Sequence, residues 1–367
     1  TVHPKLVRQM AARRQLWDGG EVDWTLAESL AFGSLILEGT DVRLTGQDSR
    51  RGTFSQRHAL LVDYETGAEW VALASLADSD RNGNGKMWIY DSMLSEYAAL
   101  GFEYGYSVVH KDALVCWEAQ FGDFANAAQV VIDQFIASAE SKWAQTSGLV
   151  LLLPHGFEGQ GPEHSSARVE RFLTLCAGDN LSVVNATTAA QYFHVLRRQV
   201  RRHVRTPLVL LTPNSLLRAH HSRSAVADLT AGSFREVLDD TADIDPGAVR
   251  RVVLASGKVA YDAMAERDRR GLAVPVVRME QLNPWPEKQV VDALARYRED
   301  TEVVWLQEEP ENMGAWPFVH ERLHRQLRDR FNLHHVSRVA SASPATGSHT
   351  VHQHEQDELI GRVLAGL

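Results

Sequence analysis

The sequence predicts an α/β protein of two doubly wound α/β domains, and three observations lead there. Compact aliphatic runs at 114–117, 149–153, 181–184 and 208–211 read as strands buried on both faces, which is how parallel sheets look in sequence. Longer stretches of helical periodicity lie between them, and after residue 248 the alternation resumes with strands roughly 25–30 residues apart, the spacing of right-handed crossover units. Between the two regions, 221–247 is polar and acidic and closes on Asp243-Ile244-Asp245-Pro246-Gly247, a linker composition. The expected organisation is a leading helix or linker over 1–22, a first domain over 23–220, the linker over 221–247 and a second domain over 248–367.

Composition fits that reading. At 367 residues, 44% hydrophobic and 23% charged, the chain can bury two or three cores. A formal charge of -9 argues against a general nucleic-acid binder, because phosphate contacts need a basic face. The basic run Arg197 to Arg205 is local. Two cysteines in apolar surroundings, Cys116 and Cys176, imply free buried thiols and a reducing, cytoplasmic setting. No apolar run reaches membrane-spanning length, and the start lacks a signal-peptide pattern. Thr1 in place of Met suggests that the chain begins inside a longer gene product.

In chain order, a helix is expected over 6–16 and an amphipathic one over 24–37, followed by a short strand at 42–44. The loop 46–58 then carries three arginines, Asp48, Gln47 and His58 among small residues that let backbone approach a ligand. Asp78, Asp80, Asn82 and Gly83 match the opening of a calcium loop, but Ile89 stands where a bidentate Glu is required, so the segment reads as a turn. A helix is expected over 121–136 after the strand at 114–117. A third strand at 149–153 ends in a glycine-rich loop holding His155 and His164, with Ser165 or Ser166 as cap of the next helix. A helix over 188–198 brings Arg198 to its basic end. In the second domain strands are expected at 251–255, 274–278 and 302–306, with helices from Lys258, after Pro286 and after Trp316. Ser256-Gly257-Lys258 lacks the rest of a phosphate-binding motif, and His349, His352 and His354 have no cysteine or second carboxylate cluster in view, so these histidines read as a polar turn.

The stretch Asp91 to Tyr106 holds the sharpest candidate. A helix beginning near Asp91 or Ser92 would place Glu96 in its first turn among Met93, Leu94, Tyr97, Leu100 and Phe102. A first-turn glutamate can simply answer the helix dipole. It can also be a carboxyl in an apolar pocket whose proton is shared with a ligand nitrogen. Spacing alone does not choose.

The segment 94–105, Leu-Ser-Glu-Tyr-Ala-Ala-Leu-Gly-Phe-Glu-Tyr-Gly, resembles the activating-glutamate helix of the 2-oxoglutarate dehydrogenase E1 family, whose enzymes use thiamine diphosphate. Further matches follow at 46–58, at 117–124, at 154–168 with Gly161-Pro162-Glu163-His164-Ser165-Ser166-Ala167-Arg168, and at 306–316 with Gln307-Glu308-Glu309-Pro310-Glu311-Asn312-Met313-Gly314-Ala315-Trp316. The resemblance covers nearly the whole chain, is nearest in style to the actinobacterial 2-oxoglutarate decarboxylase/dehydrogenase type, and implies a transketolase-like pyrimidine-binding domain followed by a C-terminal domain.

That resemblance implies site roles. Glu96 would bond the cofactor's pyrimidine ring nitrogen, Phe124 or, as second choice, Phe121 would stack on the aminopyrimidine, and Leu94 would lie beside it. His164 and His58 would handle substrate carboxylates and protons, with His155, Gln47 and Arg51 as weaker substrate contacts and Arg198 as an allosteric candidate near an acetyl-CoA site. A Gly-Asp-Gly with an Asn some way beyond, the family's magnesium–diphosphate motif, is not present, so no metal ligands are expected in this chain and Mg2+ would be held by a diphosphate-binding half elsewhere. The implied partners are that half, a second copy in a homodimer, a lipoyl-bearing E2 succinyltransferase and E3. The implied reaction is oxidative decarboxylation of 2-oxoglutarate with succinyl transfer, the alternatives being another 2-oxo acid such as 2-oxoadipate or a non-catalytic dimerisation or regulatory fragment.

Overall fold

The computed structural model describes residues 1–77 and 83–367. Asp78, Asp80 and Asn82 of the calcium-like segment lie outside the described residues. Of the sheets in the described residues, two are large and two are two-stranded; the largest has seven strands, in the spatial order Gln281–Asn283, Ser182–Asn185, Leu208–Thr212, Val150–Pro154, Leu114–Glu118, Val42–Gly46, Met87–Asp91. Six are parallel, and Gln281–Asn283 adds antiparallel to one edge. The second sheet places Val237–Leu238, Val276–Met279, Arg251–Ala255, Glu302–Pro310 and Asn332–Arg338 side by side, parallel except for the first.

The aliphatic runs behave as a two-sided sheet dictates. Leu149 to Leu153 are all fully buried, but successive side chains enter different cores. Leu151, Leu153, Val115 and Trp117 pack on one face. Val150, Leu152, Leu114 and Cys116 pack on the other, under helices Trp24–Leu37 and Ala189–Arg201. The first of these cores runs on into the second sheet through Val252, Leu254, Val277 and Trp305. The sheets are therefore joined by continuous apolar packing.

The polar stretch 221–247 is no free tether. Ser224–Ala225 pairs with Glu21–Val22, and Val237–Leu238 edges the second sheet. Strand Gln281–Asn283, from the second region, pairs with the first sheet. Composition missed these because two- and three-residue edge strands leave almost no periodicity to read.

Local starts and stops also differ from expectation. The helix carrying Glu96 is Glu96–Val109, starting later than Asp91 or Ser92. Asp91 is held extended by its pairing with Gly46, and Ser95 takes over the cap by accepting from Ala98 N–H at 3.2 Å. The single α-helix expected over 121–136 is broken into a 3-10 turn Gly122–Ala128, one α-turn and a π-turn Ile132–Ile136. The Asn126 amide bonds the Asp123 carbonyl at 2.5 Å, taking the acceptor that an α-turn needs. Neither serine caps helix Val169–Thr174: Ser165 donates to Gly161 O, Ser166 accepts from Arg168 N–H, and Arg168 enters with φ 56. His349, His352 and His354 lie on helix His349–Val363, capped by Ser348, rather than in a turn. Cys176 is only half-buried, whereas Cys116 is fully so, and both are free.

Candidate functional site

The loops that bear the expected site residues leave the C-terminal ends of four adjacent parallel strands. From the sheet edge inward these are Met87–Asp91, leading to Glu96; Val42–Gly46, leading to the 47–59 loop; Leu114–Glu118, leading to Phe121 and Phe124; and Val150–Pro154, leading to the loop with His155 and His164. Such a row of strand ends is where open α/β sheets bind ligands.

Glu96 is the first residue of its helix and is half-buried. Gln47 reaches across from the neighbouring loop, donating to Glu96 Oε1 at 2.7 Å and to the Leu94 carbonyl at 3.1 Å. The apolar enclosure expected around Glu96 is not built by this chain: Met93 and Leu94 are 81% and 82% exposed, and Tyr97 and Phe102 are more than half exposed. A first turn at the rim of a sheet has nothing of its own chain above it, so these side chains remain open while Leu100, one turn on, is buried.

A buried ionic network holds the 47–59 loop. Arg57, 4% exposed, makes forked bonds to two carboxylates, Glu28 at 2.6 and 3.0 Å and Glu118 at 2.7 and 2.6 Å. Tyr192 OH donates to Glu28 and Ser49 OH to Glu118. Burial opposes the Arg57 charge, but the two carboxylates outweigh it and lift its pKa well above the ordinary value. With its base so fixed, the loop sustains three non-glycine residues at positive φ, Asp48, Ser55 and His58, a concentration of strain of the kind found at ligand sites. His58 has its pKa lowered by burial and then by the charges of Arg13 and Arg51. Arg13, from helix Pro4–Asp18, itself clamps the loop by donating to the Arg57 carbonyl at 3.0 Å. Arg51 lies half-exposed and paired with Asp48.

Phe121, Phe124 and His164 form one aromatic cluster. The His164 ring meets Phe121 edge-on at 4.2 Å and Phe124 at 6.5 Å, and Phe54 of the 47–59 loop completes it at 6.0 Å from Phe121. His164 is exposed. His155 is not brought to that space. Its side chain is 4% exposed, Nε2 lies 2.9 Å from Glu309, and Nδ1 accepts from Ala167 N–H at 3.0 Å, so both nitrogens are engaged inside the protein. Arg198 is likewise turned inward, over the Phe234 ring and donating to Gln281 at 2.8 Å, with burial lowering its pKa to about 10. Its basic neighbours are paired too, Arg197 with Glu38 and Arg205 with Asp112.

Several residues that build the site escaped the sequence reading: Glu28 and Glu118 beneath the 47–59 loop, Asp123 paired with Arg168, and Glu309 on His155. Glu118 did leave a signal. A carboxylate closing an otherwise apolar buried strand demands a cationic partner.

Two family models match consecutive parts of the chain. "Transketolase, pyrimidine binding domain" covers residues 20–220, and "2-oxoglutarate dehydrogenase C-terminal" covers residues 223–364. A protein of Brucella ovis named "2-oxoglutarate dehydrogenase E1 component" is 51% identical over 367 aligned positions, which take in 96% of this chain and 36% of that protein. A "Multifunctional 2-oxoglutarate metabolism enzyme" of Mycobacterium sp. strain JLS is 47% identical over 373 positions, 100% of this chain and 30% of that protein. The chain thus spans about a third of the length of the curated relatives it matches. On this match and the sheet geometry, the chain belongs to the transketolase pyrimidine-binding domain family, with a 2-oxoglutarate dehydrogenase C-terminal region following.

Proposed function

We propose that this chain supplies the pyrimidine-binding side of a thiamine-diphosphate site that decarboxylates 2-oxoglutarate, as in the relatives' E1 component. The observation that carries the reading is the convergence of Glu96, with Gln47 holding its carboxylate, and the Phe121–His164 cluster on one row of strand ends. The donor set fits the planar half of the cofactor. Glu96 is a carboxylate at a helix start, able to hold a proton against a ring nitrogen; Phe124 or Phe121 offers an aromatic face; and the exposed Leu94 and Met93 offer apolar cover to whatever lies over Glu96. When bound, thiamine diphosphate supplies the electron sink for loss of CO2 from a 2-oxo acid.

The chain's own residues place and shield. Glu96 holds a proton at the pyrimidine nitrogen. Gln47 orients that carboxylate through its 2.7 Å bond. His164 and His58, in this reading, move protons or hold substrate carboxylates. In this reading Mg2+ and the diphosphate belong to a partner half, as the family resemblance implies. The open apolar surface around Glu96 supports a second polypeptide surface closing the site, in a homodimer that passes its succinyl group to a lipoyl-bearing E2. Substituting Glu96→Gln in the complete enzyme should lower 2-oxoglutarate decarboxylation by roughly 10²–10⁴-fold. Undiminished turnover would reject the assignment, and a comparison of turnover across 2-oxo acids checks the substrate.

A further inference from the structure

The motif Gln307 to Trp316 belongs to the second region, yet its side chains reach the base of the His164 loop. Glu309 Oε1 lies 2.9 Å from His155 Nε2, and His155 Nδ1 accepts from Ala167 N–H at 3.0 Å. Residues 155 and 167 are the two ends of the loop that carries His164, which lies three residues before Ala167 and next to Ser165 at the neck. One ring therefore closes the loop neck, and one carboxylate from the other sheet holds the ring. A backbone bond from Gly156 N–H to the Ser165 carbonyl, 2.9 Å, lies alongside.

The surroundings are shaped for this pair. Glu308, the preceding residue, accepts from Phe157 N–H at 3.1 Å and pairs with the buried Lys258 at 2.8 Å. Gly314, at φ 68, leaves room for Glu309: a Cβ there would meet Glu309 Cβ at 2.8 Å. The Gln307 amide ties the turn together, donating to the Met313 carbonyl at 2.8 Å and accepting from Trp316 N–H at 2.8 Å. From the loop's own side, Glu170 accepts from Gly314 N–H at 2.9 Å.

We propose that Glu309 and His155 are positioning residues that fix the His164 loop from the second sheet, a reading that rests on the proposed role of His164. Ala167 N–H can only donate, so above the His155 midpoint, which burial lowers but Glu309 and its neighbouring carboxylates raise further, the neutral ring's proton sits on Nε2 and is donated to Glu309; this one tautomer satisfies both bonds. A second proton on Nδ1 would set two N–H groups against each other and open the neck. What Glu309 supplies is an acceptor, and an uncharged acceptor of the same shape serves.

The test uses the complete enzyme containing this chain, with three readouts. In Glu309→Ala, amide exchange across 155–168 should rise roughly tenfold or more. Turnover should fall roughly 10- to 100-fold, mostly in kcat, as expected when a reacting group is displaced by about 1 Å. Glu309→Gln should restore both. In the unsubstituted protein, at a pH above the raised His155 midpoint, the ¹⁵N spectrum of His155 should show a bare Nδ1 and a protonated Nε2, a readout that survives if Glu309→Ala fails to fold. Unchanged exchange in Glu309→Ala, a Gln variant as impaired as the Ala variant, or a proton on Nδ1 would each overturn the proposal. Exchange and ¹⁵N shifts involve no cofactor or substrate. A Glu96→Gln enzyme that keeps its turnover would remove the catalytic reading and leave the loop-neck result standing.

Discussion

Removing the Arg57 cation should destabilise the protein strongly, and the structure sets the size. Arg57, Glu28 and Glu118 are all less than a tenth exposed, and four N–O contacts of 2.6 to 3.0 Å join them, with a fifth bond from Arg57 to the Ser49 carbonyl at 2.8 Å. Arg57→Met keeps most of the volume and leaves two carboxylates facing each other out of water. Breaking a buried pair in this way costs about 3–5 kcal/mol. The loss does not double for the second carboxylate, because one of the two can take up a proton. At about 2–4 °C per kcal/mol for a domain of this size, the melting temperature should fall by roughly 6–20 °C. The assay is thermal unfolding by circular dichroism at neutral pH, with the triple variant Arg57→Met/Glu28→Gln/Glu118→Gln beside the single one. The triple variant holds no unpaired charge and should recover a large part of the loss. A single-variant shift below about 2 °C, or a triple variant no better than the single, would refute the view of this network as a buried ionic anchor.

Other expectations follow from single features of the site. A Cβ on Gly122 would lie 2.3 Å from the Pro154 carbonyl and 2.5 Å from Ala167 Cβ, so Gly122→Ala should cost about 1–3 kcal/mol and push Phe121 away from His164; a structure of the variant that keeps the 4.2 Å ring contact would contradict this. His58 should titrate below its ordinary 6.5 in a proton NMR series, because burial and then Arg13 and Arg51 favour the neutral ring. By linkage, its contribution to stability is present above pH 6.5 and is lost as pH falls through that value toward the lower folded-state midpoint; a midpoint at or above 6.5 would be the wrong sign. Burial raises the Cys116 thiol far above its usual range and Cys176 to about 12, so neither should react with a thiol reagent at pH 8 until the protein is unfolded; rapid labelling of the native protein would argue against this packing.

Much of the architecture was readable because its signals are local. The apolar runs at 114–117, 149–153 and 208–211 are continuous because helices cover both faces, and that continuity survives in sequence as a lack of alternation. The helices Trp24–Leu37 and Trp316–Leu327 begin where their apolar pattern begins. Glu96, Gln47 and His164 were singled out by the family resemblance of their motifs, and the loops that carry them leave one row of strand ends, Glu96 and Gln47 from neighbouring strands and His164 from one further in.

The long-range pairings had no local trace. Glu28 lies 29 residues from Arg57, Glu118 lies 61 away, and Glu309 lies 154 from His155. His155 looked like His164 in sequence, two histidines on one glycine-rich loop, and only burial separates them: one ring is locked between an amide and a carboxylate, the other is exposed beside Phe121. The chain order of residues sets which secondary elements form and what chemistry their ends carry. Which polar groups lose water, and therefore must find a partner, depends on how those elements stack, because desolvation is a property of the packed whole and not of any stretch of chain.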